Sequence, residues 1–269
     1  MKKLISILLA LLMLASLATT AFAEENVAFN QALVIKWLDE GDDDAVDVDG
    51  QLANGALRLA EMVVAVNNWL VASQEEVDRA EAVLSALTEV DTPDVLDETK
   101  LAAGTMKALE ALLLLANQVD REDKYEAYVE KIYEDFSAQN ESMTTGKSQA
   151  VNALYQSVKI MALLIEENCT SEEMVQQVEA GLAQFVEDEE ATTTVDEQLC
   201  NGAYWLCKMT AAFAKMVNQD NIEMIEGMVA DYQEISDDTE GTLQRTVTWL
   251  YGSVRMFGVL ADEFQAKVA

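Results

Sequence analysis

The chain contains no histidine, which removes the commonest general base and the commonest zinc ligand of proteins. It has a single proline, and no segment alternates Val, Ile or Thr with polar residues, so β-strands are not expected. Neither a G-x-S-x-G nucleophile motif nor a phosphate-binding glycine loop occurs. These absences favour a protein that is not an enzyme and that uses no cofactor.

Basic residues are also scarce, with 17 Lys and Arg against 49 Asp and Glu and a formal net charge of −32. Such acidity argues against nucleic acid and against anionic membrane surfaces as partners. The simplest interpretation is solubility, and a cationic partner is the alternative. Apolar residues reach 51% of the chain, which favours a folded domain over a disordered one.

The first 23 residues have the pattern of a signal peptide, and the rest is expected to be one domain. Lys2 and Lys3 are followed by an apolar run over 4–17 and by a small-x-small site at 21–23. We therefore expect cleavage after Ala23 and a secreted, extracytoplasmic mature chain over 24–269. No later stretch is apolar enough to be inserted in a membrane.

Three cysteines occur, at Cys169, Cys200 and Cys207. Cys200 and Cys207 fall on one predicted helix, about 10 Å apart along its axis, which is too far for a disulfide. We expect three buried thiols that act as small apolar residues. An intermolecular disulfide is the alternative that an odd number leaves open.

A small residue recurs every 49 residues within similar flanking sequences, at Gly55, Gly104, Ala153 and Gly202. A fifth version centres on Thr246, 44 residues later. A fixed period of this length is typical of repeat architectures. We predict an all-α array of αα-hairpin repeats, with about ten helices in five pairs, either solenoid-like or closed into a stack. The glycines suggest that neighbouring helices approach closely at these positions.

Each repeat is predicted to contain a long, apolar A helix and a shorter, acidic B helix, with the B helices outside. Capping boxes are expected where Ser73, Thr170 and Thr194 precede a glutamate by three residues. Pro93 suits a first helical position. The A helices are predicted near 50–70, 93–118, 145–168, 194–218 and 240–266. The B helices are predicted near 25–39, 74–88, 122–139, 171–187 and 220–235.

An acidic loop ahead of the first A helix provides a weak metal-site candidate. Asp47 and Asp49 precede Gly50 as in part of a calcium loop, but alanines stand at two required ligand positions. A solvated loop in which Asp49 caps the next helix is the alternative interpretation.

A row of polar residues on one face of the A helices is the stronger binding candidate. Amides suit peptide backbone or sugar hydroxyls, and two tryptophans provide apolar area for stacking. The alternative is a set of ordinary solvated helix faces. The predicted groove comprises Gln51, Asn54, Arg58, Lys107, Gln149, Asn152, Gln156, Lys159, Gln198, Asn201, Trp205, Lys208, Arg245 and Trp249.

These observations predict a secreted, non-enzymatic helical-repeat protein that binds a protein, peptide or glycan in the A-helix groove. A carbohydrate-active enzyme with paired carboxylates on a helical array is one alternative. An acidic cation-binding protein is the other.

Overall fold

The computed structural model describes residues 47–70, 74–119 and 126–268. Within these ranges the chain is all-α: nine α-helices and a short 3₁₀ turn, with no strand. The expected signal peptide, the predicted helix over 25–39 and the Ser73 capping box lie outside the described residues. The helices are α1 Val48–Leu70, α2 Gln74–Val90, α3 Asp97–Val119, α4 Glu126–Asn140, α5 Gly146–Asn168, α6 Glu172–Ala191, α7 Val195–Val217, α8 Ile222–Asp238 and α9 Thr242–Val268.

The five odd-numbered helices are long and contact one another in a closed order. α1 packs against α3, α3 against α5, α5 against α7 and α7 against α9, and α9 packs back against α1. Gln244 Nε2 on α9 donates to Gln51 Oε1 on α1 over 3.0 Å at this closing contact. The long helices therefore form a ring around a shared apolar interior.

The even-numbered helices are shorter and lie on the outside, as their acidic sequences predict. Each one packs against the two long helices that it connects. Only a few side chains of each short helix are buried, such as Val178 and Phe185 in α6. The long helices are buried on most sides, with Ala150 to Val158 of α5 forming a continuous buried run. Within the described ranges, this division places any accessible part of α3, α5 or α7 between two short helices.

The helix starts follow capping chemistry, with two corrections to the predicted positions. Thr194 and Glu197 form a complete capping box at α7, which confirms that prediction. At α6 the cap is Ser171, whose side chain accepts from the Met174 backbone, so the predicted box at Thr170 is wrong by one residue. Pro93 does not start α3, because the chain forms a turn there and the helix begins at Asp97.

The recurring glycines lie where long helices approach one another. A Cβ added to Gly104 would lie 2.6 Å from the backbone carbon of Ala56, so α3 and α1 touch through their main chains. At Gly202 the neighbours are side chains, with Leu154 Cβ 3.0 Å from the added carbon. Glycine is therefore required for the α1–α3 spacing and is favoured by tight side-chain contact at α7.

The cysteines are free thiols, and only one of them is fully buried. Cys207 is buried, and burial raises the pKa of its thiol to about 12. Cys169 and Cys200 are only partly buried, so the expectation of three buried thiols is correct for Cys207 alone. Burial also raises the pKa of the Cys200 thiol, which keeps it in the less reactive protonated form at neutral pH.

Candidate functional site

Three members of the predicted row of polar residues, on α3, α5 and α7, face the short helices of the outer layer. Asn152 on α5 donates to the Phe136 carbonyl oxygen on α4 over 3.0 Å. Trp205 on α7 donates from Nε1 to Asp188 Oδ2 on α6 over 2.9 Å. Lys107 on α3 lines a groove together with residues of α2 and α4. The accessibility of each part of the row therefore depends on how the short helices cover it.

The outer face of α3 forms an open groove between α2 and α4. The groove has a volume of about 500 Å³ and is lined by three helices. Tyr133 on its α4 side is 52% exposed, and the neighbouring Leu114 is half-buried. Because α2 and α4 stand on either side, the groove is a concave, accessible surface. Its lining is Arg79, Ala82, Val83, Lys107, Glu110, Leu113, Leu114, Asn117, Val129, Glu130 and Tyr133.

The charges of this groove are balanced, which is unusual in so acidic a chain. Lys107 Nζ lies 2.7 Å from Glu110 Oε2, and the two side chains remain 28% and 41% exposed. Arg79 and Glu130 add one further charge of each sign to the lining. The groove therefore offers hydrogen-bond donors and acceptors beside an apolar floor. A ligand with both apolar and polar groups fits this combination.

The corresponding face of α5 is closed by polar contacts. Asn152 and Gln156 are each only 3% exposed, and Gln156 Nε2 lies 3.4 Å from Asn152 Oδ1. Asn152 in turn bonds to α4 through Phe136. Asn152 thus links α5 to α4, Gln156 bonds to Asn152 within α5, and both amides are buried, so they do not line an accessible surface as the predicted groove requires.

The outer face of α7 is filled by an aromatic cluster. Tyr204 makes edge contacts with Trp205 at 5.2 Å and with Trp249 at 4.9 Å between ring centroids. Lys208 Nζ lies 5.4 Å from the centre of the Tyr204 ring. Burial, and then the negative charge of Asp188, raises the pKa of the Tyr204 hydroxyl. Trp249 is 2% exposed, so it is a core residue.

The remaining residues of the row are spread around the ring. Gln51 bonds to α9, and Arg58 forms an ion pair with Glu61 at 2.8 Å. Asn201 is nearly buried, and Arg245 is exposed. The other members, which are all half-buried, are Asn54, Gln149, Lys159 and Gln198. The structure thus places the row on five separate helix faces, of which that of α3 forms the groove.

Asp47 and Asp49, at the start of the first long helix, have partners within the chain. Asp47 Oδ1 accepts from the Gly50 backbone over 2.9 Å, so Asp47 rather than Asp49 caps the start of α1. Lys147 on α5 lies 3.3 Å from Asp49 and 3.5 Å from Asp196 on α7. Glu98 on α3 also accepts from the Lys147 backbone. Among the described residues, no group of three or more Cys, Asp or Glu side chains is arranged to hold a metal ion.

Several groove residues were not predicted because they lie on the short helices. Arg79, Glu130 and Tyr133 complete the groove with Lys107, whereas the predicted row of polar residues lies on the long helices alone. An exposed tyrosine among charged residues, as in the α4 sequence around Tyr133, was the available signal. Placing it beside Lys107 requires knowing how α4 packs against α3.

No known protein family, curated protein or solved structure matches this chain. Within the described ranges, no helix has the length and apolar character needed to cross a membrane. Function must therefore be argued from the groove itself.

Proposed function

We propose that this protein is a secreted, non-enzymatic binding protein that holds a partner in the groove between α2 and α4. The observation that carries the proposal is an accessible 500 Å³ groove whose lining combines an apolar floor with charges of both signs. The concave shape and the few convergent polar groups are typical of ligand sites.

A peptide segment of another protein is the ligand class that the lining supports best. Six of the eleven lining residues are apolar or aromatic, and Val83, Leu113 and Leu114 are among them. Apolar side chains of a peptide would pack on this floor, and Lys107 and Glu130 would bond to its polar groups. A glycan would leave much of the aliphatic floor without a partner, since sugars bind chiefly through hydroxyl contacts and aromatic stacking.

The proposal also includes the repeat architecture and the location. Regular alternation of long and short helices supports an array of αα-hairpins, and the 49-residue recurrence of small residues supports its origin by duplication. The leader pattern over 1–23 supports export. Mass spectrometry of the natural protein tests this part: we expect a mature N-terminus at Glu24, and a retained leader would contradict it.

Two matched double variants test the groove. Lys107→Glu with Tyr133→Ala changes two groove residues, whereas Lys131→Glu with Tyr128→Ala makes the same chemical changes outside it. Tyr128 is 45% exposed and Lys131 is exposed, and neither lines the groove. Partners are captured from the medium around the native cells, identified, and then titrated against both variants as purified proteins.

We expect the groove variant to lose at least about tenfold in affinity, which corresponds to about 1.4 kcal/mol, and the control to stay within about twofold. Equal affinities of both variants would rule out the groove as the binding site. Turnover of a glycan by the wild type would instead support the enzyme alternative. A large rise in melting temperature with millimolar calcium would support cation binding.

A further inference from the structure

The outer face of α7 shows which groups can occupy the space between two short helices. There the Trp205 ring packs over Gly181 of α6. Lys208 Nζ lies 5.4 Å from the centre of the Tyr204 ring. The chain thus supplies this face with a large apolar group and with a cation placed on a tyrosine.

The groove over α3 has neither group in the equivalent place. Two repeats earlier in the chain, Lys107 stands at the position of Trp205, and Glu110 stands at the position of Lys208. Lys107 and Glu110 neutralise each other across 2.7 Å, and Leu114 at the floor is half-buried. The groove therefore has room for an apolar group and for a cation that the chain does not supply.

Tyr133 and Glu130 provide a place for a cation on the α4 wall of the groove. They are three residues apart on one helix, so their side chains are neighbours, and both line the groove. Tyr133 is 52% exposed, and Glu130 is exposed as well. Within the described ranges, Glu130 forms no ion pair or hydrogen bond. An aromatic face beside an unpaired carboxylate attracts a cation through both groups.

The other charges of the lining leave Glu130 to select the charge of the ligand. Lys107 is paired with Glu110, and Arg79 on the α2 wall interacts with another residue of the chain. The formal net charge of −32 also attracts cations at long range. Arginine suits this place better than lysine, because its planar guanidinium can stack on a tyrosine and donate two hydrogen bonds to a carboxylate.

The spacing of these groups indicates how the ligand presents its side chains. Val129 lies four residues before Tyr133 on α4 and lines the groove with Leu114, and residues four apart on a helix have Cβ atoms about 5–6 Å apart. In an extended peptide, side chains two residues apart point the same way and are about 6.7 Å apart. An arginine and a large apolar residue with one residue between them would therefore reach Tyr133 and the floor together.

We propose that the groove binds an extended segment of another protein in which an arginine and a large apolar residue are separated by one residue. The guanidinium stacks on Tyr133 and pairs with Glu130, and the apolar side chain packs on the floor at Val129 and Leu114. This inference rests on the proposed function and adds to it the chemistry of the ligand.

Blocked pentapeptides test the ligand chemistry in NMR titrations of the purified mature chain. The probe has arginine and leucine at its second and fourth positions, in either order. Citrulline in place of arginine keeps the shape and removes the charge, and alanine in place of leucine removes the apolar group. We expect the probe to shift the resonances of Tyr133 and Leu114, and each replacement to weaken binding at least about fivefold. Equal affinities, no binding of the probe, or shifts confined to the α7 face would overturn the inference.

Two glutamates of α4 provide a matched test of the carboxylate. Glu130 lines the groove, whereas Glu134 is equally accessible and does not line it. Glu130→Gln should weaken the arginine peptide at least about fivefold and leave the citrulline peptide within about twofold, because only arginine carries the charge that Glu130 meets. Glu134→Gln, which removes the same charge from the chain, should leave both peptides within about twofold. Equal effects of the two substitutions would contradict the pairing with Glu130.

The captured partner separates a failure of this inference from a failure of the proposed function. If the partner loses affinity for the Lys107→Glu, Tyr133→Ala variant but not for Glu130→Gln, the groove is the binding site and the arginine inference is wrong. If the partner binds both variants as tightly as wild type, the proposed function is wrong, whatever the peptides show. Self-association of the wild-type chain that the arginine peptide reverses would assign the groove to a second copy and would also overturn the inference.

Discussion

The outer faces of α3 and α7 show how one backbone arrangement gives either an open groove or a filled surface. Lys107 lies three residues after Gly104 on α3, and Trp205 lies three residues after Gly202 on α7. The Trp205 ring lies over Gly181 of α6, with Cζ3 3.2 Å from the position of an added Cβ. Gly181 precedes Trp205 by 24 residues. The residue that precedes Lys107 by 24 residues is Val83 on α2, so a valine occupies the position that glycine has in α6.

The pairing of a large residue with a small one explains this difference. On α7 the missing side chain at Gly181 makes room for an indole that covers the helix, and Asp188 holds its N–H. On α3 the lysine turns to Glu110, and the groove stays open with Leu114 half-buried at its floor. Accessibility is therefore set by a few side chains, while the helices around them pack similarly.

The largest expected effect is the loss of stability when a core side chain beneath the groove of α3 is shortened. Leu112 is fully buried on α3, so Leu112→Ala should lower the free energy of unfolding by about 2–5 kcal/mol. Leu114 lines the groove and is half-buried, so Leu114→Ala should cost clearly less, about 1 kcal/mol. Urea unfolding of the two variants measures both values, and equal losses would contradict an open groove at Leu114.

The filled face should depend on the Trp205 ring. Trp205→Ala removes the indole from Gly181 and from Asp188, and we expect a loss of about 2–3 kcal/mol because the ring is only partly buried. Trp205→Phe retains much of the apolar contact and removes the N–H, so it should cost about 1 kcal/mol. Chemical denaturation distinguishes the two variants. If Trp205→Ala left the free energy of unfolding unchanged, the aromatic cluster would not stabilise this face.

The close approach of α1 and α3 predicts a smaller loss. Gly104→Ala would place a Cβ against the Ala56 backbone, and the shift needed to admit it should cost about 1–3 kcal/mol. Gly227 in α8 is the control, because nothing lies within 4 Å of an added Cβ there. Gly227→Ala should stabilise the chain by up to about 1 kcal/mol, as alanine favours a helix interior. Thermal unfolding of both variants tests whether Gly104→Ala loses stability while Gly227→Ala gains it.

The smallest effect concerns pH at the start of α7. Hydrogen bonds from the Thr193 and Thr194 backbones lower the pKa of Glu197 below its usual value of 4.5. A carboxyl whose pKa is lower in the folded state stabilises the fold above its unfolded pKa, and this contribution is lost as pH falls through the folded pKa. Glu197→Ala should therefore be less stable than wild type at pH 7, and the difference should shrink on acidification below about pH 4. A constant difference across this range would contradict the capping role.

Much of the helical organisation was predictable from local sequence, whereas the accessible surface was not. The α7 capping box at Thr194 depends on two residues that are three positions apart, and its prediction from the sequence is confirmed. The start of α3 was misplaced because Pro93 is equally suited to the turn that it occupies. Asn152 and Trp249 are polar or amphipathic residues that proved to be buried. Their burial depends on partners in α4 and α7, which helix periodicity does not reveal.

Radical footprinting of the purified chain, with and without its captured partner, tests the central claim most directly. If the open face of α3 is the binding site, the partner should reduce the oxidation of Tyr133 and Leu114, and leave Tyr204 and Trp205 on the filled face of α7 unchanged. Protection of the α7 face, with Tyr133 and Leu114 as reactive as in the free protein, would contradict the account.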